Sequence, residues 1–414
     1  MTGTATLDIE SIAAGGDGVA RHDGLVVFLP RTAPGDRVVA RVEHGRRFAR
    51  GRVESIVRAS PGRVEPRCAH YDGTRCGGCQ LQHLGPEAQR DAKRAIVRDT
   101  MRRIGRRSVD LPTFHPAASP WRYRRRLTLA LRRDPQGFWF GGMRAWDDAA
   151  TVFPLEDCWI TDERVLVHWR EILGAAELFP DAPELRGTVR LSGERAAFVL
   201  EGGTAWPHVR AFADRLASFD RIWWAADGGR RRRMWSAGGA SPESAAAASF
   251  SQVNPVVAAD LFAFVEARVV ECPAGHVIDA YSGTGDLAVA LHARGFRVSA
   301  VELDGDATAV AASRLSRPSR AIAARVEDVI GELFPADIVI VNPPRAGLDA
   351  RVTRTLDAAP SPQLLVYVSC DPATLARDVG RLPSWTIMSM DAFDMFPQTA
   401  HVETVAILRR ETVQ

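Results

Sequence analysis

Residues 364–370 spell LLVYVSC, an apolar run of the kind that forms a fully buried strand, and it ends on Cys370. Asp371 and Pro372 follow at once and open a helix. In an open α/β sheet, reacting groups collect just beyond the carboxyl ends of the strands, so Cys370 stands where a thiolate nucleophile would be held. A buried structural cysteine is the alternative, and the neighbouring segments favour the nucleophile.

The segment Asp279-Ala280-Tyr281-Ser282-Gly283-Thr284-Gly285 follows one predicted strand and opens a helix. Gly283 and Gly285 let the backbone come close to a ligand. One strand later Glu302 can accept both ribose hydroxyls of an adenosine cofactor. A nicotinamide dinucleotide uses similar geometry. The turn lacks its third glycine, however, and begins with an acid, Asp279. A carboxylate suits the cationic, phosphate-free S-adenosylmethionine better than a pyrophosphate.

Asn342 follows the predicted strand 338–341. Its amide can accept from the N3–H of uracil and donate to O4. Turned over, it matches cytosine. Capping the next helix is the plainer use of such a residue.

Cys68, Cys76 and Cys79 lie within twelve residues, and Cys158 is far downstream. A zinc ribbon shows two close pairs, whereas three thiolates plus one favour a 4Fe–4S cluster. No redox step is needed for methyl transfer, so such a cluster would be structural. Cys272 has no partner in this scheme and is expected in buried packing.

The elements that must position these groups fall into three parts. Residues 1–58 read as an all-β barrel of the OB type, with strands at 5–9, 25–29, 37–43 and 48–57 between Gly- and Pro-containing turns. Residues 59–248 form a β-rich central part carrying the cysteines. Its segment 85–107 reads as one amphipathic helix with Ala92, Ile96, Met101 and Ile104 on the apolar side, placed to pack on the last part. The Gly/Ser/Ala-rich piece 238–249 marks the next boundary. Residues 249–414 alternate strand and helix, and 386–390 pairs antiparallel with 404–408 because no helix fits between them. That is the layout of a class I methyltransferase, an α/β Rossmann-like fold.

The chain of 414 residues has a net charge of +3, so overall charge says little about partners. Its basic residues say more, because Lys93 is the only lysine. A GC-rich genome accounts for most of the arginine. Clusters at 46–52, 102–107, 122–126 and 230–233, the third interleaved with Trp121 and Tyr123, still suit nucleic acid. The amino terminus has no apolar signal core and no run is long and apolar enough to span a bilayer, so the expected compartment is the cytoplasm. No obligate protein partner is expected.

With these segments in view, the chain resembles, over essentially its full length, the RNA 5-methyluridine methyltransferases that carry a TRAM barrel and an iron–sulfur cluster. The resemblance rests on Gly15-Gly16-Asp17-Gly18 and Pro34-Gly35-Asp36 in the barrel, and on residues 250–254, 279–285, 342–347, 368–378 and 394–403. It implies Cys370 as nucleophile and Glu403 as base. It also implies cofactor contacts from Gln252, Tyr281, Glu302 and position 342, and a cluster on Cys68, Cys76, Cys79 and Cys158. Two features depart from the family: Asn342 stands where it usually has Asp, and the gap between the first two cluster cysteines is longer.

The expected reaction moves a methyl group from S-adenosylmethionine to carbon 5 of a uridine in structured RNA, through an adduct of Cys370 at carbon 6. A lowered thiol pKa at the helix N-terminus is expected to assist. Large-subunit ribosomal RNA is favoured over the T-loop of transfer RNA, and Asn342 keeps a cytosine-5 activity open. Methyltransferases acting on adenine N6 or a glutamine amide also use Asn-Pro-Pro, but they want an aromatic where this chain has Arg345, and they have no use for Cys370. A non-catalytic RNA-binding protein would not need both Cys370 and Glu403.

Overall fold

The computed structural model describes residues 2–238, 252–359 and 361–410. Most of the Gly/Ser/Ala-rich boundary, together with Phe250 and Ser251, lies outside them. The chain forms two compact units, each drawing on distant stretches: 1–72, 78–117 and 330–414 in the first, 73–77 and 118–329 in the second.

The first unit opens with a six-stranded sheet in the order Thr2–Asp8, Arg37–His44, Ala49–Arg58, Leu25–Leu29, Gly18–His22 and Ser11–Ile12. Alternation along these strands turns Leu7, Val27, Leu29, Val38, Ala40 and Val42 inward. Two of the six were missed in the sequence, Gly18–His22 and the two-residue Ser11–Ile12. Asp36, fully buried, accepts from the amides of Ala33 and Ser60 and from Arg63, whose guanidinium holds its carboxyl below the usual range against the cost of burial.

Helix Pro86–Thr100 starts on a proline, as the missing N–H permits. It gives way to a π-helical turn, Met101–Gly105, closed by Arg106 in the left-handed region. The expected single helix to 107 is therefore shorter, and Ile104 is exposed rather than on the apolar side, because the wider turn rotates it outward. Gly105 lies against Ala376, where an added Cβ would stand 2.9 Å from the Ala376 carbonyl oxygen. The helix thus packs on helix Pro372–Val379. A shared core of Ile12, Ala33, Leu81, Leu84, Ala92, Ile96 and Ala400 joins it to the barrel and to the segment before Glu403.

The carboxyl-terminal strands of this unit run in the order Ile338–Val341, Leu364–Ser369, Glu403–Arg410, Trp385–Phe393 and Thr113–His115. The first pair is parallel and the last two long strands form the expected antiparallel pair.

In the second unit a seven-stranded sheet runs Val152–Pro154, Trp139–Arg144, Arg126–Arg133, Glu184–Ser192, Arg195–Glu201, Phe219–Ala225 and Arg232–Ser236. Helices Glu163–Leu173 and Val209–Asp214 cover one face through a core containing Leu129, Trp169, Val189, Phe198 and Phe212. The unit also holds the parallel strands His276–Ala280, Arg297–Glu302 and Arg320–Ala323, with helices Pro255–Val270, Asp286–Ala293 and Gly305–Arg314. Cys272, expected in buried packing, is only half-buried in the turn after the first of these helices.

Candidate active site

The cofactor-type turn of the second unit is tightly formed. Tyr281, Gly283 and Gly285 all have positive φ, at +63°, +56° and +76°. At Gly285 a Cβ would lie 2.7 Å from that of Ala311, so only glycine fits the approach of helix Gly305–Arg314. Glu302 accepts from the Gly283 amide at 3.0 Å and from the Asp304 amide at 2.8 Å, which fixes its carboxylate over the turn. Asp279 is buried, and its Oδ2 and the hydroxyl of Ser282 are buried polar atoms without a hydrogen-bond partner. Burial, with the Glu302 charge added, pushes the Asp279 carboxyl up to about 7. Buried polar atoms without partners call for a ligand that supplies them. A cation that lets Asp279 ionise fits this cradle, whereas a pyrophosphate would be repelled by two carboxylates. Gln252 is half-buried just before Asn254, which caps helix Pro255–Val270 by accepting from the Val257 amide.

In the first unit, antiparallel pairing sets Ser369 opposite Thr404. One step further, the same register carries Cys370 to the end of its strand beside Glu403. The turn is pinned on both sides. The Asp371 amide donates to Ser369 Oγ, whose hydroxyl donates to the Asp371 carbonyl. Asp371 in turn caps the following helix, accepting from the amides of Ala373 and Thr374. Cys370 is half-buried, neither sealed in packing nor loose.

Glu403 is buried, and burial pushes its carboxyl up to about 7 against the pull of Arg345. Burial and then the Glu403 charge push the Cys370 thiol up, Arg345 draws it down, and Asp371 adds to the rise. The expected lowering at the helix N-terminus is thus outweighed, because desolvation and two carboxylates act against one eight-residue helix and one guanidinium. In the sequence, Arg345 marks only a difference from other Asn-Pro-Pro enzymes. Here it is the cation that both reactive groups feel.

Asn342 leaves strand Ile338–Val341 half-buried. It does not cap the next helix: Asp349 does, accepting from the Arg351 amide at 2.7 Å. Two further residues position Glu403 and were invisible locally. Lys93 donates to Asp394 Oδ1 at 2.6 Å and to the Phe396 carbonyl at 3.0 Å. Gln89 exchanges hydrogen bonds with Gln398, donating to its side chain at 3.0 Å and accepting from its amide at 3.2 Å. They strap the loop before Glu403 onto helix Pro86–Thr100.

The four cysteines divide between the units, Cys68 and Cys79 in the first, Cys76 and Cys158 in the second. None of the four is exposed. Tyr71 lies near Cys79 and donates to or accepts from His83 Nδ1 at 2.6 Å; burial holds the His83 pKa down to about 4. Arg122 donates to the Cys158 carbonyl at 2.9 Å. Gly77, between Cys76 and Cys79, donates to the Arg144 carbonyl at 3.0 Å.

Comparison with known proteins agrees with this arrangement. The sequence profile described as tRNA (Uracil-5-)-methyltransferase matches residues 317–411, the TRAM domain residues 4–53 and the methyltransferase small domain residues 248–359. An RNA methyltransferase of Gloeobacter violaceus is 32% identical, over 98% of this chain and 96% of its own. The 23S rRNA (uracil(1939)-C(5))-methyltransferase of Halomonas elongata is 31% identical, over 98% and 89%. Among solved structures, the tRNA (uracil-54, C5)-methyltransferase of Pyrococcus abyssi, in complex with S-adenosyl-L-homocysteine, aligns with a TM-score of 0.69. It is 25% identical and covers 98% of this chain and all of that one. The fold is thus the class I methyltransferase fold with an amino-terminal TRAM barrel, and the chain belongs to the TRAM-bearing RNA uracil-5 methyltransferases, enzymes that use S-adenosylmethionine to methylate carbon 5 of uracil in RNA.

Proposed function

We propose that the chain methylates carbon 5 of a uridine in large-subunit ribosomal RNA through a transient covalent bond between Cys370 and carbon 6 of the base. The observation that carries this reading is that Cys370 follows Ser369, whose strand partner Thr404 adjoins Glu403, so that Glu403 acts on the thiol and the Arg345 charge acts on both. Carbon 5 of uracil is a poor nucleophile while the ring is conjugated. Addition of the Cys370 thiolate to carbon 6 breaks that conjugation and leaves an enolate whose electrons reside at carbon 5. Bound S-adenosylmethionine supplies the electrophilic methyl group. Glu403 then takes the proton from carbon 5, the double bond re-forms, and the Cys370 thiolate leaves. Arg345 favours the thiolate and the ionised Glu403, and Asn342 holds the N3 and O4 edge of the base.

Asp279, Tyr281, Gly283, Gly285, Glu302, Gln252 and Asn342 form the cofactor site in this reading. Cys68, Cys76, Cys79 and Cys158 hold a structural 4Fe–4S cluster, a donor set of four cysteines shielded from solvent. Residues 1–58 act as the TRAM barrel, 59–248 as the cluster-bearing part and 249–414 as the methyltransferase, working in the cytoplasm on its RNA. Ribosomal over transfer RNA is supported by the 31% identity with the Halomonas enzyme, set against 25% with the archaeal tRNA enzyme.

The test is RNA carrying 5-fluorouridine with S-adenosylmethionine. Fluorine cannot leave as a cation, so a denaturation-resistant protein–RNA adduct should accumulate. It should vanish in Cys370→Ala and persist in Cys272→Ala; an adduct in the first variant refutes the assignment.

A further inference from the structure

Two hairpins of the amino-terminal barrel, 18–29 and 37–58, meet along a short seam. Strands Leu25–Leu29 and Ala49–Arg58 run parallel there, and their register covers only Val27 opposite Ala49 and Phe28 opposite Arg50. Beside it the Phe28 and Phe48 rings meet edge to face at 5.6 Å. His22 and His44 stand at this end of the barrel, one on each hairpin. His22 pairs with Leu25, two residues before Val27, and His44 pairs with Ala49 itself. Their rings also approach edge to face, with centres 6.0 Å apart. The two-residue turn Asp23-Gly24, with φ of +48° and +78°, closes the first hairpin and sets Asp23 next to His22.

His22, Asp23 and His44 bring one donor atom each together, all within 4.8 Å of one another. Nε2 of His22 is 3.4 Å from Oδ2 of Asp23. That is beyond the roughly 2.7–3.2 Å of an N–H···O hydrogen bond. It matches the edge of a tetrahedral zinc site, whose bonds of about 2.0–2.1 Å set donor atoms about 3.3–3.4 Å apart. His44 is exposed, and rotation of its side chain brings its nitrogen the rest of the way. Two imidazoles and one carboxylate suit zinc and its neighbours in the first transition row. Magnesium and calcium take oxygen ligands instead, so two nitrogens select against them.

We propose that His22, Asp23 and His44 bind a divalent ion of the zinc class, with water in the fourth position. The ion ties one hairpin to the other across a seam where backbone pairing is brief. A ligand set drawn from two hairpins assembles only in the folded barrel, so the energy of binding becomes stability of the barrel. The site is independent of the uracil chemistry, since none of its three residues takes part in it.

The test is calorimetric titration of the full chain with zinc chloride, with magnesium chloride as the control, followed by hydrogen–deuterium exchange with and without zinc. The parent should take up one zinc equivalent that His22→Ala/His44→Ala lacks, and magnesium should give no such step. His22→Ala and His44→Ala should each weaken that step about a hundredfold, at least the cost of losing an outer-shell partner. Asp23→Asn, which keeps a residue tolerant of positive φ at the turn, should weaken it less. Amide exchange in 25–29 and 49–53 should slow with zinc in the parent and not in the double variant. With a chelator present the double variant should melt as the parent does, which shows that its fold is intact. Equal zinc uptake by parent and double variant would overturn the site, as would uptake by the parent only at millimolar zinc. Zinc held by the histidines without slower exchange at the seam would overturn the tie between the hairpins.

Discussion

Tyr367 donates a 2.8 Å hydrogen bond to Oδ2 of Asp378, a carboxylate with no solvent exposure. The Leu348 amide donates to the same oxygen at 2.7 Å, and Arg377 and Arg381 pair with the other. One carboxylate therefore fastens the strand leading to Cys370, the helix after it and the loop that begins at Asn342. Tyr367→Phe should lower stability by about 1 kcal/mol, and Asp378→Ala by roughly 3 kcal/mol, since it leaves several donors unsatisfied. Thermal unfolding checks both, and the second variant should lose kcat beyond what unfolding explains.

Glu403→Gln separates the two halves of the reaction. Cys370 can still add and carbon 5 can still be methylated, but the carbon-5 proton has no acceptor. The variant should accumulate a methylated protein–RNA adduct on ordinary uridine, where the parent shows none. Denaturing electrophoresis with mass spectrometry of the digest reads it, and free turnover in the variant would remove Glu403 from the role of base.

Asp279 and Glu403 both hold their protons more tightly in the fold than their ordinary values of 3.8 and 4.5 allow, titrating at about 7. The folded chain then binds more protons than the unfolded one between those values and pH 7, so stability should fall as pH rises through that window. Asp279→Asn and Glu403→Gln should each flatten the dependence, gaining on the order of 3 kcal/mol at pH 8 relative to pH 4. Chemical denaturation at a series of pH values measures it. Cationic S-adenosylmethionine should bind more tightly as pH rises through about 7 in the parent, and with little pH dependence in Asp279→Asn.

Gly285→Ala meets two obstacles, a φ of +76° and the Ala311 side chain. A loss of about 1–2 kcal/mol from backbone strain is expected. Calorimetric titration with S-adenosylmethionine should show affinity reduced well beyond that in Gly283→Ala, where a Cβ meets open space.

The strands that carry Asn342 and Cys370 were legible because buried parallel strands read as unbroken apolar runs, and Glu403 stood out only through the family likeness. Strand Thr113–His115 was not legible. It is three residues long and acquires its identity by pairing with Asp391, Ala392 and Phe393, which no local pattern announces. Arg320–Ala323 was missed for the same shortness. The strap from Lys93 and Gln89 joins residues some three hundred positions apart, and a lone lysine among arginines gave no hint of its partner. The thiol's direction failed for another reason: helix termini are visible in a sequence, whereas desolvation and a neighbouring carboxylate arise only on folding.

Lys93 has no exposed surface and is the only lysine in the chain. Acylating reagents therefore meet no accessible lysine on the described, folded residues. Reaction at that amine would count the moments when the strap before Glu403 comes undone, a built-in clock for local opening next to the base. A lysine-specific protease would likewise cut at this seam alone, and only in molecules that had opened it.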